Sequence, residues 1–224
     1  MELQIENYKD KHEYISENGI RSVVYLMDCL DGLKQIPDKY FELAIVDPPY
    51  GIGIALGAGG TRGKKKKDLY PPKYWDDKKP TPEYWRGLFK TSKNQIVWGG
   101  NYFTSFLHES RGWLYWRKLM GGNYSDGELA WTSFDMVLKE FTMRSEQGNG
   151  RFHPTQKPVK LYEWIIKNYA KESDKILDTH LGSGSSRIAA HKANLPFMGF
   201  ELDEDYFKAS VKRFEQYVSQ TRLF

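Results

Sequence analysis

The chain carries the stretch Glu42-Leu43-Ala44-Ile45-Val46-Asp47-Pro48-Pro49-Tyr50, in which an apolar segment runs directly into a carboxylate, two prolines and a tyrosine. Residues 42–46 have the length and β-branched content of a buried strand. The next four residues follow the carboxyl end of that strand, where open α/β sheets place their ligand crevice. Because the prolines lack a backbone N–H and restrict the chain, they predict a stiff, extended turn that directs the carbonyl of Pro48 into the crevice.

This turn offers two acceptors and one flat ring. Asp47 and the Pro48 carbonyl can accept both protons of an NH2 group, while Tyr50 offers a face on which a ring can stack. The pattern therefore predicts a site for an aromatic amine. Taken alone, the same four residues are also typical of a proline turn that only closes a strand.

Length and composition indicate one α/β domain spanning residues 1–224, enough to bury a substantial core. No run of about 18 apolar residues occurs and the N-terminus is polar, so neither a membrane span nor a signal peptide is expected. The single cysteine, Cys29, excludes an intrachain disulfide and a cysteine-based zinc site. We expect no metal, and a reducing, cytoplasmic setting.

The positive charge of the chain is concentrated in one segment. Residues 61–80 hold eight Lys or Arg and three Asp, whereas the whole chain has a net charge of +4. Such a run is most often a solvated loop. Because it begins just beyond Tyr50, behind a glycine-rich hinge at residues 57–60, it could also reach a polyanion held at that tyrosine.

Seven segments are predicted as strands, with helices between several of them, which favours a doubly wound, mostly parallel seven-stranded sheet. The predicted strands are residues 22–27, 42–46, 95–98, 112–116, 134–139, 175–178 and 196–200. The residues before Gly19 are predicted as an edge strand or a loop. Residues 118–130 and 144–151 are predicted as loops.

A second pattern lies near the C-terminus, where the strand at residues 175–178 runs towards the turn Gly182-Ser183-Gly184 and a helix. Glycines at such a turn let a ligand approach the backbone. Glu201 ends the next strand and suits the two hydroxyls of a ribose. Asp28, at the end of the first strand, could accept from an adenine amino group. A plain strand-to-helix turn is the alternative, and the spacing favours a nucleoside site.

Together these motifs resemble those of the amino-group DNA methyltransferases, which methylate adenine N6 or cytosine N4 from S-adenosylmethionine. The order is the permuted one, in which the catalytic half precedes the cofactor half, and the resemblance covers roughly residues 20–215. It implies a Rossmann-like methyltransferase fold with S-adenosylmethionine as cofactor and double-stranded DNA as partner. The segment from His153 to Pro158 matches the part that completes the methionine pocket in this family, whereas His180 stands where a phenylalanine is common.

The resemblance also implies roles for individual residues. The catalytic residues are Asp47, Pro48, Pro49 and Tyr50. The cofactor-binding residues are Asp28, Cys29, His153, Thr155, Lys157, Asp178, His180, Gly182, Ser183, Gly184, Ser185 and Glu201. Cys29 is expected to pack near the cofactor and not to act as a nucleophile. DNA contacts are expected from the loop at residues 52–80, through Arg62, Lys64, Lys65, Lys66, Lys67 and Lys73, and target recognition from residues 118–151.

The expected mechanism begins with a base flipped out of the duplex and stacked on Tyr50. Its amine would donate to Asp47 and the Pro48 carbonyl, and would attack the methyl group in line without a covalent enzyme intermediate. Aspartate at the first motif position favours adenine N6 in this family. The alternatives are cytosine N4, a methyltransferase for RNA or protein amides, a nicotinamide dehydrogenase, and a DNA-binding module without activity.

Overall fold

The computed structural model describes residues 3–53, 73, 75–119, 125–144 and 151–221. Within that part of the chain the strands are β1 (Asp10–Ile15), β2 (Arg21–Leu26), β3 (Phe41–Val46), β4 (Ser92–Trp98), β5 (Trp113–Arg117), β6 (Gly127–Thr132), β7 (Lys139–Thr142), β8 (Ile176–Asp178) and β9 (Phe197–Glu201). The helices are α1 (Cys29–Lys34), α2 (Pro82–Thr91), α3 (Val159–Tyr169), α4 (Ser185–Lys192) and α5 (Glu204–Thr221), with a 3-10 turn at Gly100–Tyr102.

All of these strands form one sheet in the order β1-β2-β9-β8-β3-β4-β6-β5-β7. The five strands from β2 to β4 in that order are parallel, whereas β1 and β6 pair antiparallel with their neighbours. Because parallel strands end at the same edge, the residues that follow β2, β3, β8 and β9 converge there. Asp28, Asp47, Asp178 and Glu201 occupy those four strand ends.

Helices cover both faces of the sheet, which confirms the doubly wound, Rossmann-like α/β fold. Leu161 and Ile165 of α3 pack on the face that carries Ile45, whereas Leu33 of α1 and Leu88 of α2 pack on the opposite face. All five side chains are almost completely buried. Burial of each side chain contributes about 1.5–3 kcal/mol to stability relative to exposure. Successive side chains of β3 face opposite sides of the sheet, so this strand contributes to both layers.

The prediction of seven strands is wrong in the second half of the sheet. Most of β6 lies in the segment predicted as a loop, because pairing with β4 on one side and β5 on the other outweighs its polar, glycine-rich surroundings. A Cβ at Gly127 would lie 2.3 Å from the Tyr115 ring, so the cross-strand contact there requires glycine.

The predicted strand at residues 134–139 is also wrong. These residues form bends until β7 begins at Lys139. Val137 and Leu138 are 57% and 56% exposed, whereas Phe134 and Met136 are partly buried against the core, so this apolar run contacts the core without strand pairing. By contrast, β1 confirms the expected edge strand near the N-terminus. No helix in the described ranges combines the length and the apolar character needed to cross a membrane.

Candidate active site

A cavity of about 460 Å³ opens at the edge of the sheet where the parallel strands end. It is lined from both halves of the chain. Of the residues predicted from the sequence, those that line it are Asp28, Cys29, Asp47, Pro49, His153, Thr155, Lys157, His180, Gly182, Ser183 and Glu201. The catalytic carboxylate and most of the predicted cofactor residues therefore share one cavity, although β3 and β9 are far apart in sequence.

Five predicted site residues lie outside the lining: Pro48, Tyr50, Asp178, Gly184 and Ser185. Asp178 is buried below the glycine turn, where it accepts hydrogen bonds from the His180 amide (3.0 Å) and the Ser186 hydroxyl (2.5 Å). Burial raises the pKa of Asp178 to about 6. Asp178 therefore stabilises the backbone of the turn through these hydrogen bonds.

Both oxygens of the Asp47 carboxylate have partners within the protein. The Tyr50 hydroxyl donates to Oδ1 at 2.7 Å, and the Lys157 ammonium donates to Oδ2 at 2.5 Å. Burial raises the pKa of Asp47, while Lys157 acts in the opposite direction. Because each carboxylate oxygen has two lone pairs, Asp47 can accept a further hydrogen bond from an amine while it keeps both of these partners.

The Tyr50 ring lies parallel to the ring of Tyr102, with 4.8 Å between centroids and 14° between planes. Gly99 makes room for it, since a Cβ at this position would lie 2.2 Å from the Tyr50 ring. Gly99 also has a φ of 65°, which favours glycine. Tyr102 thus already covers one face of the Tyr50 ring, and the stacking of a base on Tyr50 stays a prediction.

Lys157 is 3% exposed and lies between two carboxylates, since its ammonium is also 3.1 Å from Oε2 of Glu128. Burial lowers the pKa of Lys157, but Asp47 and Glu128 outweigh it and raise the pKa overall. Sequence reasoning assigned Lys157 to the cofactor and missed Glu128, which lies in the segment predicted as a loop. In the structure the Lys157 ammonium contacts the carboxylate of Asp47, the candidate catalytic residue.

The glycine turn after β8 is organised by local backbone conformation. Gly182 and Gly184 have φ values of 51° and 72°, in the left-handed region that favours glycine. Glu201 accepts hydrogen bonds from the amides of Gly182 (2.8 Å) and Asp203 (2.9 Å). Burial raises the pKa of Glu201 to about 7. Glu201 thus anchors the turn and also lines the cavity.

His180 occupies the wall of the cavity between Thr179 and Cys29. Its Nδ1 is 2.9 Å from the Thr179 hydroxyl, which is in turn 2.8 Å from the Tyr84 hydroxyl. Burial lowers the pKa of His180 to about 3, so its imidazole is neutral. Burial raises the pKa of the Cys29 thiol, and a protonated thiol agrees with the expectation that it is not a nucleophile.

His153 and Thr155 form the opposite wall. The His153 ring stacks on Trp75 at 5.2 Å and meets Tyr206 edge-on at 4.3 Å. Burial lowers the pKa of His153 to about 3. The Thr155 hydroxyl is 3.2 Å from Nδ1 of His153. Asp28, on the far side of the cavity, accepts from the Leu30 amide at 2.8 Å and caps α1.

The predicted DNA-contacting residues fall into two groups. Arg62, Lys64, Lys65, Lys66 and Lys67 lie outside the described residues. Lys73 is described, and its ammonium contacts the carboxylates of Asp203 (2.7 Å) and Asp205 (2.6 Å) at the start of α5. Its phosphate contact stays a prediction, and in this structure its charge is compensated by the cofactor half.

The sequence profile of the DNA methylase family for N6 and N4 amino groups matches residues 95–212, just over half of the chain. The chain belongs to this family. Among its relatives is the Type II methyltransferase M2.DpnII of Streptococcus pneumoniae, 28% identical over 212 residues that cover 95% of this chain and 70% of that protein. The chain spans only 55% of the length of another curated Type II methyltransferase that it matches.

Solved structures with the same fold include PvuII DNA methyltransferase, described as cytosine-N4-specific. It is 18% identical, with a TM-score of 0.63, and the match covers 95% of this chain and 94% of that one. The M1.HpyAVI–SAM complex is 21% identical, with a TM-score of 0.58, and the match covers 85% and 98% of the two chains. The DNA methylase family depends on S-adenosylmethionine, as the sequence resemblance implied.

Proposed function

We propose that this DNA methylase transfers a methyl group from S-adenosylmethionine to the exocyclic amine of a flipped-out base in double-stranded DNA, and that the base is adenine. The observation that carries the proposal is the shared cavity. Asp47 opens into the same space as Gly182 and Glu201, so an amine at the carboxylate would lie close to a nucleoside at the glycine turn.

The residues of the cavity fit the cofactor. Its volume of about 460 Å³ lies within the usual range for sites of small molecules. Gln156 is 5% exposed and lines the cavity, and its Oε1 has no hydrogen-bond partner among the described residues. A buried acceptor without a partner costs free energy, which a polar ligand would recover. Glu201 and Asp28 would hold the ribose and adenine, and Thr155 and Ser183 the methionine part.

S-adenosylmethionine would supply an electrophilic methyl group when bound. Asp47 would accept one proton of the target amine at Oδ1, beside the Tyr50 hydroxyl. The Pro48 carbonyl is the other expected acceptor, and because Pro48 lies outside the cavity lining its contact with the amine stays a prediction. Lys157 would remain hydrogen-bonded to Oδ2 during the transfer and so fix the orientation of the carboxylate plane. These hydrogen bonds would draw the amine towards tetrahedral geometry, and the remaining contribution is positioning.

Adenine N6 is favoured because aspartate stands at the first motif position. Cytosine N4 is the second candidate, supported by the fold of the cytosine-N4-specific PvuII enzyme. Target recognition is proposed for residues 52–80 and 118–151, of which 54–72, 74, 120–124 and 145–150 lie outside the described residues.

The test is incubation of the protein with methyl-labelled S-adenosylmethionine and duplex DNA, RNA or protein, followed by digestion and mass spectrometry of the products. We expect N6-methyldeoxyadenosine from DNA. If the product is N4-methyldeoxycytidine, the target base is cytosine and not adenine, and the rest of the proposal holds. Label in RNA or protein alone would overturn the DNA substrate, and an Asp47→Ala variant controls for contaminating activity.

A further inference from the structure

Asp76 lies in the basic segment, yet it is 1% exposed and contacts the turn at residues 47–51, which we call the catalytic turn. Its Oδ1 accepts hydrogen bonds from the backbone amides of Tyr50 (2.7 Å) and Gly51 (3.1 Å). Its own carbonyl accepts from the Gly53 amide at 3.3 Å. A buried carboxylate is costly unless hydrogen bonds compensate it, so these contacts account for the presence of Asp76 inside the protein.

The catalytic turn needs such an anchor because its own backbone cannot supply one. Neither Pro48 nor Pro49 has an N–H, so the Tyr50 amide is the first backbone donor after Asp47. The hydroxyl of Tyr50 in turn donates to Asp47. Asp76 therefore fixes the backbone of the residue whose side chain contacts the catalytic carboxylate.

Asp76 is itself placed by contacts with the cofactor half. The adjacent Trp75 stacks on His153, and Lys73 is paired with Asp203. These contacts attach the segment around Asp76 to the cavity wall opposite the catalytic turn. The position of Asp76 thus depends on the same elements that form the cofactor site.

We propose that Asp76 is a positioning residue for methyl transfer, which holds the catalytic turn in register with the cofactor through two amide hydrogen bonds to one oxygen. This inference rests on the proposed function for its effect on turnover. Its structural content, protection of the Tyr50 and Gly51 amides, can be measured without any activity.

Three variants test the proposal. Asp76→Ala removes the acceptor, and Asp77→Ala removes the same charge from the exposed neighbouring position. Asp76→Asn keeps one acceptor oxygen for the two amides, removes the charge and replaces the second oxygen by an NH2 group. For Asp76→Ala we expect kcat to fall about 10²-fold, the loss typical of a misplacement of about 1 Å, with an unchanged Kd for S-adenosylmethionine. Asp76→Asn and Asp77→Ala should keep a kcat close to that of the wild type.

Amide hydrogen exchange provides the readout that does not depend on turnover. Exchange at Tyr50 and Gly51 should accelerate in Asp76→Ala and remain slow in Asp76→Asn. Unchanged exchange or unchanged kcat in Asp76→Ala would overturn the inference, as would an Asp76→Asn variant with strongly reduced kcat. If Asp76→Ala fails to fold, exchange in the wild type still decides, because fast exchange at the Tyr50 and Gly51 amides would overturn the anchor and strong protection would support it. A wild-type protein without methyl transfer would overturn the proposed function, while the exchange data would still test the anchor.

Discussion

The glycine turn after β8 and the catalytic turn after β3 lie at the same edge of the sheet, but different contacts hold them. The glycine turn depends on left-handed glycines and on Glu201, 19 residues from Gly182. The catalytic turn depends on side chains from two other segments, with Asp76 26 residues from Tyr50 and Lys157 110 residues from Asp47.

This difference separates two properties of the site. The cofactor side is shaped mainly by backbone conformation, which changes little when a distant side chain is replaced. The catalytic side is shaped by buried charges, whose removal leaves a partner uncompensated. Variants of the catalytic side should therefore change turnover or stability, and variants of the cofactor side should change affinity.

The largest expected effect is that of Asp47→Ala on turnover. The variant loses the acceptor for the target amine, so we expect kcat to fall by at least about 10²–10³-fold, the usual loss when one hydrogen-bonding group of an active site is removed. The variant leaves Glu201 and Asp28, the residues proposed to hold the ribose and adenine, unchanged. Calorimetry should therefore give a Kd for S-adenosylmethionine close to that of the wild type.

Gly182→Val is the reciprocal variant on the cofactor side. A Cβ there would point at the His153 ring, 3.6 Å away inside the cavity, and the φ of 51° strains a β-branched residue. Gly182→Val should weaken the binding of S-adenosylmethionine more than it lowers kcat. Loss of S-adenosylmethionine binding in Asp47→Ala would mean that the two sides cannot be separated.

The second prediction concerns the stability of the catalytic side. Lys157→Met leaves Asp47 and Glu128 without their shared cation, and removal of one partner from a buried ion pair costs about 3–5 kcal/mol. We expect a correspondingly lower free energy of unfolding in denaturant titrations. Lys160→Met is the matched control, since Lys160 is exposed in the first turn of α3, which begins two residues after Lys157, and it should leave stability unchanged. Equal effects of the two substitutions would refute a special role for Lys157.

The same comparison explains how far the sequence could predict the molecule. The doubly wound fold and the order of the four acidic strand ends follow from local patterns, namely an apolar run followed by Asp47 and a strand followed by Gly182. Sequence also placed Glu201 at the cavity. Each of these signals lies within a few residues of the feature that it predicts.

The missed features depend on pairing between distant segments. Nothing near Glu128 distinguishes it from a loop glutamate, and its role arises only when β6 pairs with β4. Asp76 is one of three aspartates in a basic segment, so its burial could not be predicted from composition. The apolar content of residues 134–139 predicted a strand, but Phe134 and Met136 contact the core from a bend, and Val137 and Leu138 are exposed.

The third prediction is a pH dependence of cofactor affinity. In the proposed complex the ribose hydroxyls would donate to the ionised carboxylate of Glu201, so binding would favour the ionised form. Because burial raises the pKa of Glu201 to about 7, the free protein holds a proton below that pH which binding must release. Affinity should therefore be constant above pH 7 and fall by up to about tenfold per unit below it. Calorimetry from about pH 5.5 to about pH 8.5 measures this pH dependence of the affinity.

Glu201→Gln supplies the control. The variant should bind more weakly at high pH and should lose the dependence centred near 7. Asp178, whose pKa is raised to about 6, lies outside the cavity lining, and any dependence left in the variant should be centred there. A wild-type affinity that is flat across this range would show that Glu201 does not accept from the cofactor.

The smallest expected effect separates Lys73 from the lysines at residues 64–67. Each lysine that neutralises a phosphate contributes a slope of about 0.9 to the plot of log K against log salt. Neutralising all four lysines at 64–67 should flatten the DNA-binding slope by up to that amount per contact and weaken binding uniformly across sequences. Lys73→Ala should leave the slope unchanged, because its ammonium is already compensated by Asp203 and Asp205.

Lys73→Ala should instead weaken S-adenosylmethionine binding by less than about fivefold, since partly exposed ion pairs contribute about 0–1 kcal/mol. That loss would arise because Asp203 also donates its amide to Glu201, so the ion pair supports the cofactor side of the cavity. Lys73→Ala could instead reduce the salt slope as much as the loss of one of the four lysines does. Lys73 would then be a phosphate ligand, as its sequence position predicts. The ion pairs would then have to open when DNA binds, and the segment around Asp76 would respond to the substrate as well as to the cofactor.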